Sequence, residues 1–359
     1  MTTTSRSNGI SSPRPIKRVA AAMAAAGALT FAWYASSVGA QTTAPRPVKV
    51  LIISMFVAEA QPWIDKLALG QAITVPGLSP AYPQVHCNAD DVCQVTTDMG
   101  KANAAASISA LVYSGQFDLS QTYFLVAGIA GVDPEQGTTG TAAWSRYLVD
   151  WDLSWEIDAR ERPAGWNTGF LGINTKTPGE KPPLDYGSEV FQLNEALLQK
   201  ALALSTNATL TDSPTAQAYR AQYAVAPGNQ PPRVTQCDAM TGNTWFHGDL
   251  LGQRARAWHK LMTDNKGTYC MTAQEDNATY KALQRGAEAG LLDLQRVAVL
   301  RTASNFDRPH PGQTAAESLK ANSGGFGPST ANLVVAGQPL VTDIVTKWAS
   351  WKNGVPATP

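Results

Sequence analysis

The sequence predicts an α/β protein, a three-layer sandwich in which helices cover both faces of a central, mostly parallel or mixed β-sheet. Two observations predict it. β-Branched apolar runs of strand length alternate with segments of helical apolar spacing along the chain, and neither a repeat of fixed period nor a long low-complexity spacer breaks the alternation. Of the 359 residues, 44% are hydrophobic and 16% charged, enough apolar material for a large core.

The elements follow in order. "VKVLIISMF" (48–56) reads as a strand buried on both faces, and Ala58 to Leu67 has helical spacing. "DDVCQVTTDMG" (90–100) alternates like a strand and breaks at Gly100; "KANAAASISALVYSG" (101–115) is an alanine-rich helix with a glycine stop. "QTYFLVAGIAGVDP" (121–134) is another buried strand, ending in a small-residue loop. Between Ala143 and Phe170 lie Trp144, Trp151, Trp155 and Trp166, which fits strands with an aromatic face. "EVFQLNEALLQKALAL" (189–204) has the spacing of a helix, and "APGNQPPRV" (226–234) is a proline-rich loop. "GDLLGQRARAWHKLM" (248–262) is helical, with His259 on its surface, and residues 267–290 turn from a short strand into a helix. "LQRVAVLRTASN" (294–305) is the last clear strand and residues 339–354 a closing helix.

The first forty residues read differently. Arg14, Lys17 and Arg18 form a basic segment, Val19 to Ala35 an apolar one, and Val38-Gly39-Ala40 a small-residue cleavage site, the pattern of a secretory signal. An apolar stretch this short and alanine-rich falls below the roughly 20 residues a membrane span needs. Cleavage near Ala40 is therefore expected, with residues 41–359 exported as one domain to the periplasm or the exterior. The leader holds four basic and no acidic residues, so the mature chain keeps 24 basic side chains (28 less 4) against 28 acidic ones. That mild acidity argues against nucleic acid as a partner.

Cys87, Cys93, Cys237 and Cys270 remain, an even number in an exported chain, and Cys87–Cys93 with Cys237–Cys270 is the preferred disulfide pairing. Cys-x5-Cys lacks zinc spacing, so neither metal nor cofactor is expected. No G-x-S-x-G occurs, which excludes the serine-hydrolase elbow.

In an open α/β sheet ligands bind outside the carboxyl ends of the strands. Four such ends carry candidates: Glu59; Gly128, Ile129, Ala130 and Gly131; Gln274 and Glu275, followed by Asp276 and Asn277; and Arg301, Ser304, Asn305 and Asp307. Each alone has a plainer explanation. Glu59 suits the first turn of a helix, "GIAG" a tight turn, Asp276 or Asn277 a cap, and Ser304-Asn305 a turn before Pro309.

Their order and spacing together resemble the nucleoside phosphorylase and nucleosidase superfamily. "IISMFVAE" places Glu59 where the nucleosidases carry the glutamate that activates water. "TDMGKANAA" (97–105) matches their G-x-G-K-x-N-A-A segment, "GIAG" their G-S/T-A-G loop, and "QEDNA" their M-E-x-A-A strand end, with Glu275 as the ribose-binding glutamate. "RTASN" overlays R-A-I-S-D, with Asn305 in the place of the acid that serves the purine N7 and Asp307 two residues late. Over the mature chain the closer resemblance is to the purine nucleoside permease family, carried by "KVLIISMF", "TWFHGDLL" (244–251) and "LRTASNFDRPHPGQTAAESL" (300–319).

The resemblance implies a nucleoside phosphorylase-like fold and a purine nucleoside as substrate or ligand. Glu59 would activate water, Glu275 with Gln274 beside it would hold the ribose hydroxyls, and Asn305, with Asp307 competing, would meet the base. Trp245, Phe246 and His247 would line the site, Arg301 and Ser304 would shape it, and His310 would lie in a loop closing over the sugar. Hexameric-type phosphorylases carry an arginine and a serine where this chain has Val126 and Ile129, an apolar pair that cannot neutralise a phosphate dianion. Hydrolysis is thus favoured over phosphorolysis, although Arg146, Arg301 or Arg308 would be alternative phosphate contacts. The family name claims transport; with no transmembrane bundle in the sequence, the alternative role is a non-catalytic binder serving a membrane transporter. A homo-oligomer is compatible with either role.

Overall fold

The computed structural model describes residues 44–357; the expected leader lies outside them. Twelve strands form the central sheet. In chain order the elements that matter are β1 (Val50–Ser54), α1 (Val57–Lys66), β2 (Gln71–Thr74), β3 (Gln84–Cys87), β4 (Val92–Thr96), α2 (Lys101–Val112), β5 (Tyr123–Val132), β6 (Ala142–Trp144) and β7 (Tyr147–Asp150). They continue with β8 (Val190–Gln192), α3 (Glu195–Ser205), β9 (Val234–Gln236), β10 (Asp238–Thr241), α4 (Asp249–Met262), β11 (Tyr269–Ala273), α5 (Asp276–Glu288), β12 (Val297–Phe306) and α6 (Phe326–Thr346).

The main path runs β8-β7-β10-β11-β5-β1-β4-β3-β2, with β12 on the other edge of β5 and β6 and β9 beyond it. β1 pairs in parallel with β4 and β5, β5 with β12, and β10 with β7 and β11. β11 runs antiparallel to β5 and β12 to β6, so the sheet is mixed.

The alternation of side chains along the strands builds two apolar layers. Leu51, Ile53, Phe124, Val126, Val297 and Val299 pack with Ile108 and Leu111 of α2 and Leu283 of α5. Val50, Ile52, Tyr123, Leu125 and Leu300 pack with Trp63 of α1, Leu197 of α3 and Leu333 of α6. Helices thus cover both faces. Disulfides join Cys87 to Cys93 and Cys237 to Cys270, the preferred pairing.

Four local expectations are corrected. "GIAG" is not a loop: Gly128 to Gly131 continue β5, because β12 pairs with that strand to its end. Residues 190–192 are a strand against β7, and the helix starts only at Glu195, after Asn194 caps it by accepting from Ala196 and Leu197 N–H. The closing helix begins at Phe326 and holds Pro339 within it. Gly337 lets α1 approach α6, since a Cβ there would stand 2.7 Å from the Trp63 ring. Finally, His259 is fully buried, and burial pushes its imidazole down to about 3.

Candidate active site

The site forms where β5 exchanges one neighbour for another. Along one edge, Tyr123 to Val126 pair with β1, and Gly131 and Val132 pair with β11. Between them, residues 127–130 have no strand partner on that edge among the described residues. The first turn of α1 fills the gap with Glu59. One carboxylate oxygen accepts from Ile129 N–H at 2.7 Å and the other from Met55 N–H at 2.8 Å. A side chain here completes hydrogen bonding that a strand would otherwise supply.

Glu59 is 1% exposed, and this burial pushes its carboxyl up to about 7, against the pull of Arg301 and the two amide donors. A carboxylate so placed can take up a proton near neutral pH. Gly128 is required beside it. A Cβ at that position would lie 2.0 Å from Met55 Cε, 2.5 Å from Arg301 Nη1 and 2.9 Å from Glu59 Oε1.

Glu275, at the junction of β11 and α5, is the second buried carboxylate. Its Oε1 accepts from Gly100 N–H at 3.0 Å, and its Oε2 from Arg301 Nη2 at 3.3 Å. Gly100 has φ of 90°, which suits glycine, and through it the "TDMGKANAA" segment reaches the site. Arg301 itself is buried in β12. Its Nε donates to both Asp276 oxygens, at 3.1 and 3.2 Å, Nη2 also donates to Asp276, and Nη1 donates to Ile129 C=O at 3.1 Å. Three carboxylates, Glu59, Glu275 and Asp276, therefore surround one guanidinium. Gln274 Nε2 donates to Asn243 C=O at 3.2 Å, and Asn243 Oδ1 accepts from Lys101 N–H at 2.9 Å, which ties the 242–247 loop to the rim.

Further along β12 the register with β5 shifts between Ala303 and Asn305. This irregularity sets Ser304 and Asn305 at the end of the gap. Ser304 Oγ lies 3.1 Å from Ala130 C=O and 3.2 Å from Asn305 Oδ1. A Cβ on Gly131 would meet Thr272 Oγ1 at 2.4 Å, Trp245 Cζ2 at 3.3 Å and Asn305 Oδ1 at 3.5 Å. Trp245 and Asn305 therefore flank Gly131, and Trp245 keeps 39% of its surface exposed. Its neighbour Phe246 turns inward and stacks on Trp151, with ring centres 4.1 Å apart. Neither ring nitrogen of His247 has a hydrogen-bond partner among the described residues, and burial holds its pKa below the ordinary value.

Other candidates are engaged elsewhere. Asp307 accepts from Tyr269 Oη and from Arg308 Nε, both at 2.7 Å, and burial pushes it up to about 6. Arg308 also pairs with Asp133 at 3.0 Å, and Asp133 with Arg256 at 2.9 Å. Arg146 forms a two-pronged pair with Glu195. All three arginines considered for phosphate thus already face carboxylates. His310 lies edge-on to Tyr219 and Tyr223. Among the described residues, no group of three or more histidine, cysteine, aspartate or glutamate side chains is placed to hold a metal ion.

Sequence reasoning missed Met55, Thr272 and Asn243, and gave Asp276 no role beyond a cap. The glycine of "TDMGKANAA" was a usable signal for Gly100. Nothing in the sequence marks Met55, because its contribution is a backbone N–H.

Residues 47–356 match the family model described as purine nucleoside permease. A purine nucleoside permease of Candida albicans is 39% identical over 313 residues, covering 85% of this chain and 77% of that protein. A probable purine nucleoside permease of Schizosaccharomyces pombe is 38% identical over 317 residues, covering 84% of this chain and 90% of that protein. Among solved structures, futalosine hydrolase of Helicobacter pylori superposes with a TM-score of 0.52 at 12% identity, over 82% of this chain and 98% of that one. The 5′-methylthioadenosine/S-adenosylhomocysteine nucleosidase of the same organism gives 0.53, with the same identity and coverage. At such identity the likeness is one of fold, and the fold is nucleoside phosphorylase-like. Among the described residues, no helix is long and apolar enough to cross a membrane.

Proposed function

The chain belongs to the purine nucleoside permease family, and we propose that it is an exported protein that hydrolyses the N-ribosyl bond of purine nucleosides. The observation that carries this reading is the charge balance around Arg301: three buried carboxylates face a single guanidinium, and one of them, Glu59, titrates near neutrality. Departure of the base leaves positive charge on the ribose, which a carboxylate surplus stabilises. The same surplus repels a phosphate dianion.

In the proposed reaction, water adds to C1′ as the C1′–N9 bond breaks. The bonding pair leaves with the purine and Glu59 accepts the water proton. Glu275 accepts from the ribose hydroxyls and fixes the sugar. Asn305 donates a hydrogen bond to the leaving base; as a neutral amide it delivers no proton, so the base takes one from solvent. Trp245, half-exposed beside Gly131, is the aromatic face for the purine. The two disulfides support an exported setting.

Asn305 also favours a second reading, a non-catalytic nucleoside binder that delivers its ligand to a membrane transporter. The mature chain incubated with inosine, adenosine or guanosine distinguishes the two. Free base should appear, and Glu59→Gln should stop its release while calorimetry still detects nucleoside binding. Binding by the unaltered chain with no base released would establish the binder instead.

A further inference from the structure

We infer that Asp276 is a positioning residue of this site: it holds the Arg301 guanidinium and so sets how one positive charge is divided between Glu59 and Glu275. This deepens the hydrolase reading and rests on it for its kinetic arm alone.

Asp276 is the first residue of α5, where a carboxylate ordinarily serves the helix N-terminus. Its side chain does something else. Both of its oxygens accept from Arg301, and among the described residues its side chain hydrogen-bonds to that guanidinium alone. In the M-E-x-A-A pattern this residue occupies the variable position, so the motif does not require a carboxylate there.

The geometry divides Arg301 among distinct tasks. Nε is committed to Asp276, Nη2 is shared by Asp276 and Glu275, and Nη1 binds Ile129 C=O. Ile129 is also the residue whose N–H holds Glu59. No Arg301 hydrogen bond reaches Glu59, so the guanidinium acts on it through space while its Nε and Nη2 are bonded to Asp276. The charged groups facing Glu59 are Arg301 from β12 and Glu275 from the β11–α5 junction. Its remaining contacts are the Met55 and Ile129 amides. Arg301 and Asp276 are 1% and 0% exposed, so solvent does little to screen the exchange.

Removing the Asp276 charge leaves Arg301 to Glu59 and Glu275 alone. Glu59 should then ionise at lower pH, and Glu275, whose donor loses its anchor, should hold ribose less well. The test is Asp276→Asn in the mature chain, read by carbon-13 NMR titration of the Glu59 carboxyl and by the pH profile of base release from inosine. Both midpoints should fall together by at least about half a pH unit, with a raised KM, and Asp276→Glu should bring them back toward the unaltered chain. A shifted titration in variants that release no base would uphold the inference while removing the hydrolase reading. A folded Asp276→Asn protein whose Glu59 titrates as before would overturn it. If that variant does not fold, Glu275→Gln removes the other claim on the same guanidinium and must also lower the Glu59 midpoint; an unchanged midpoint there is equally fatal.

Discussion

Two charge clusters flank the end of β12, and they are assembled on different terms. In one, Asp133, Glu135 and Asp307 surround Arg256 and Arg308, and each carboxylate has a guanidinium within ion-pair distance. In the other, Glu59, Glu275 and Asp276 surround Arg301 alone, and Glu59 is held only by two peptide N–H groups. The first cluster ties β5, β12 and α4 together and leaves little charge uncompensated. The second carries a surplus and borders the open edge of β5. Burial raises both Glu59, to about 7, and Asp307, to about 6; the two differ in that Asp307 is enclosed by Tyr269 and Arg308, whereas Glu59 has no side-chain hydrogen-bond partner among the described residues and fills the open edge of β5.

Breaking each cluster should therefore fail differently. Glu59→Gln should lower base release by about a thousandfold, the scale of a lost general base, with binding kept. A residual rate within tenfold of the unaltered chain would remove Glu59 from the chemistry. Arg308→Met leaves Asp307 and part of Asp133 buried without their cation and should cost about 3–5 kcal/mol in urea unfolding. Its folded fraction should still release base within a few-fold of normal. If Arg308→Met instead lost activity at full stability, the division into brace and site would be wrong.

Asn305→Ala should lower kcat/KM about tenfold, the worth of one hydrogen bond to the leaving base. Asp307→Asn should lower stability and leave base preference intact. Equal activity in both variants would count against this end of β12 as the base site.

A further effect is on stability against pH. The Glu59 carboxyl titrates near 7 in the folded chain and near 4.5 ordinarily, so the folded state holds this proton more tightly than the unfolded one. The stability it contributes is complete below about pH 4.5 and is lost as pH rises through 7. Between pH 5 and pH 9 the unaltered chain should therefore lose about 2 kcal/mol relative to Glu59→Gln. Parallel unfolding curves across that range would contradict the buried, amide-held state of Glu59.

Much of this was legible in the sequence because the central strands are apolar runs and the candidates were expected at strand ends. The "GIAG" stretch was misjudged for a physical reason. Small residues that signal a turn are equally what a strand needs where Met55, Arg301 and Trp245 press against its backbone. Glu59 and Glu275 were visible through spacing to motifs. Asp276 was hidden because a carboxylate at a helix start already has a sufficient local explanation. Asp307 looked available because the sequence does not reveal that Tyr269 and Arg308 enclose it. Likewise Pro339 read as a helix start, since propensity cannot show that packing against Trp63 and Leu300 carries the helix past it.

The central claim is that Glu59 directs water, and not phosphate, to the sugar. Base release from inosine by the mature chain, measured with phosphate omitted and then added, tests it most directly. We predict release at the same rate in both buffers, with free ribose as the sugar product. Release that begins only when phosphate is added, with ribose 1-phosphate as product, would contradict it.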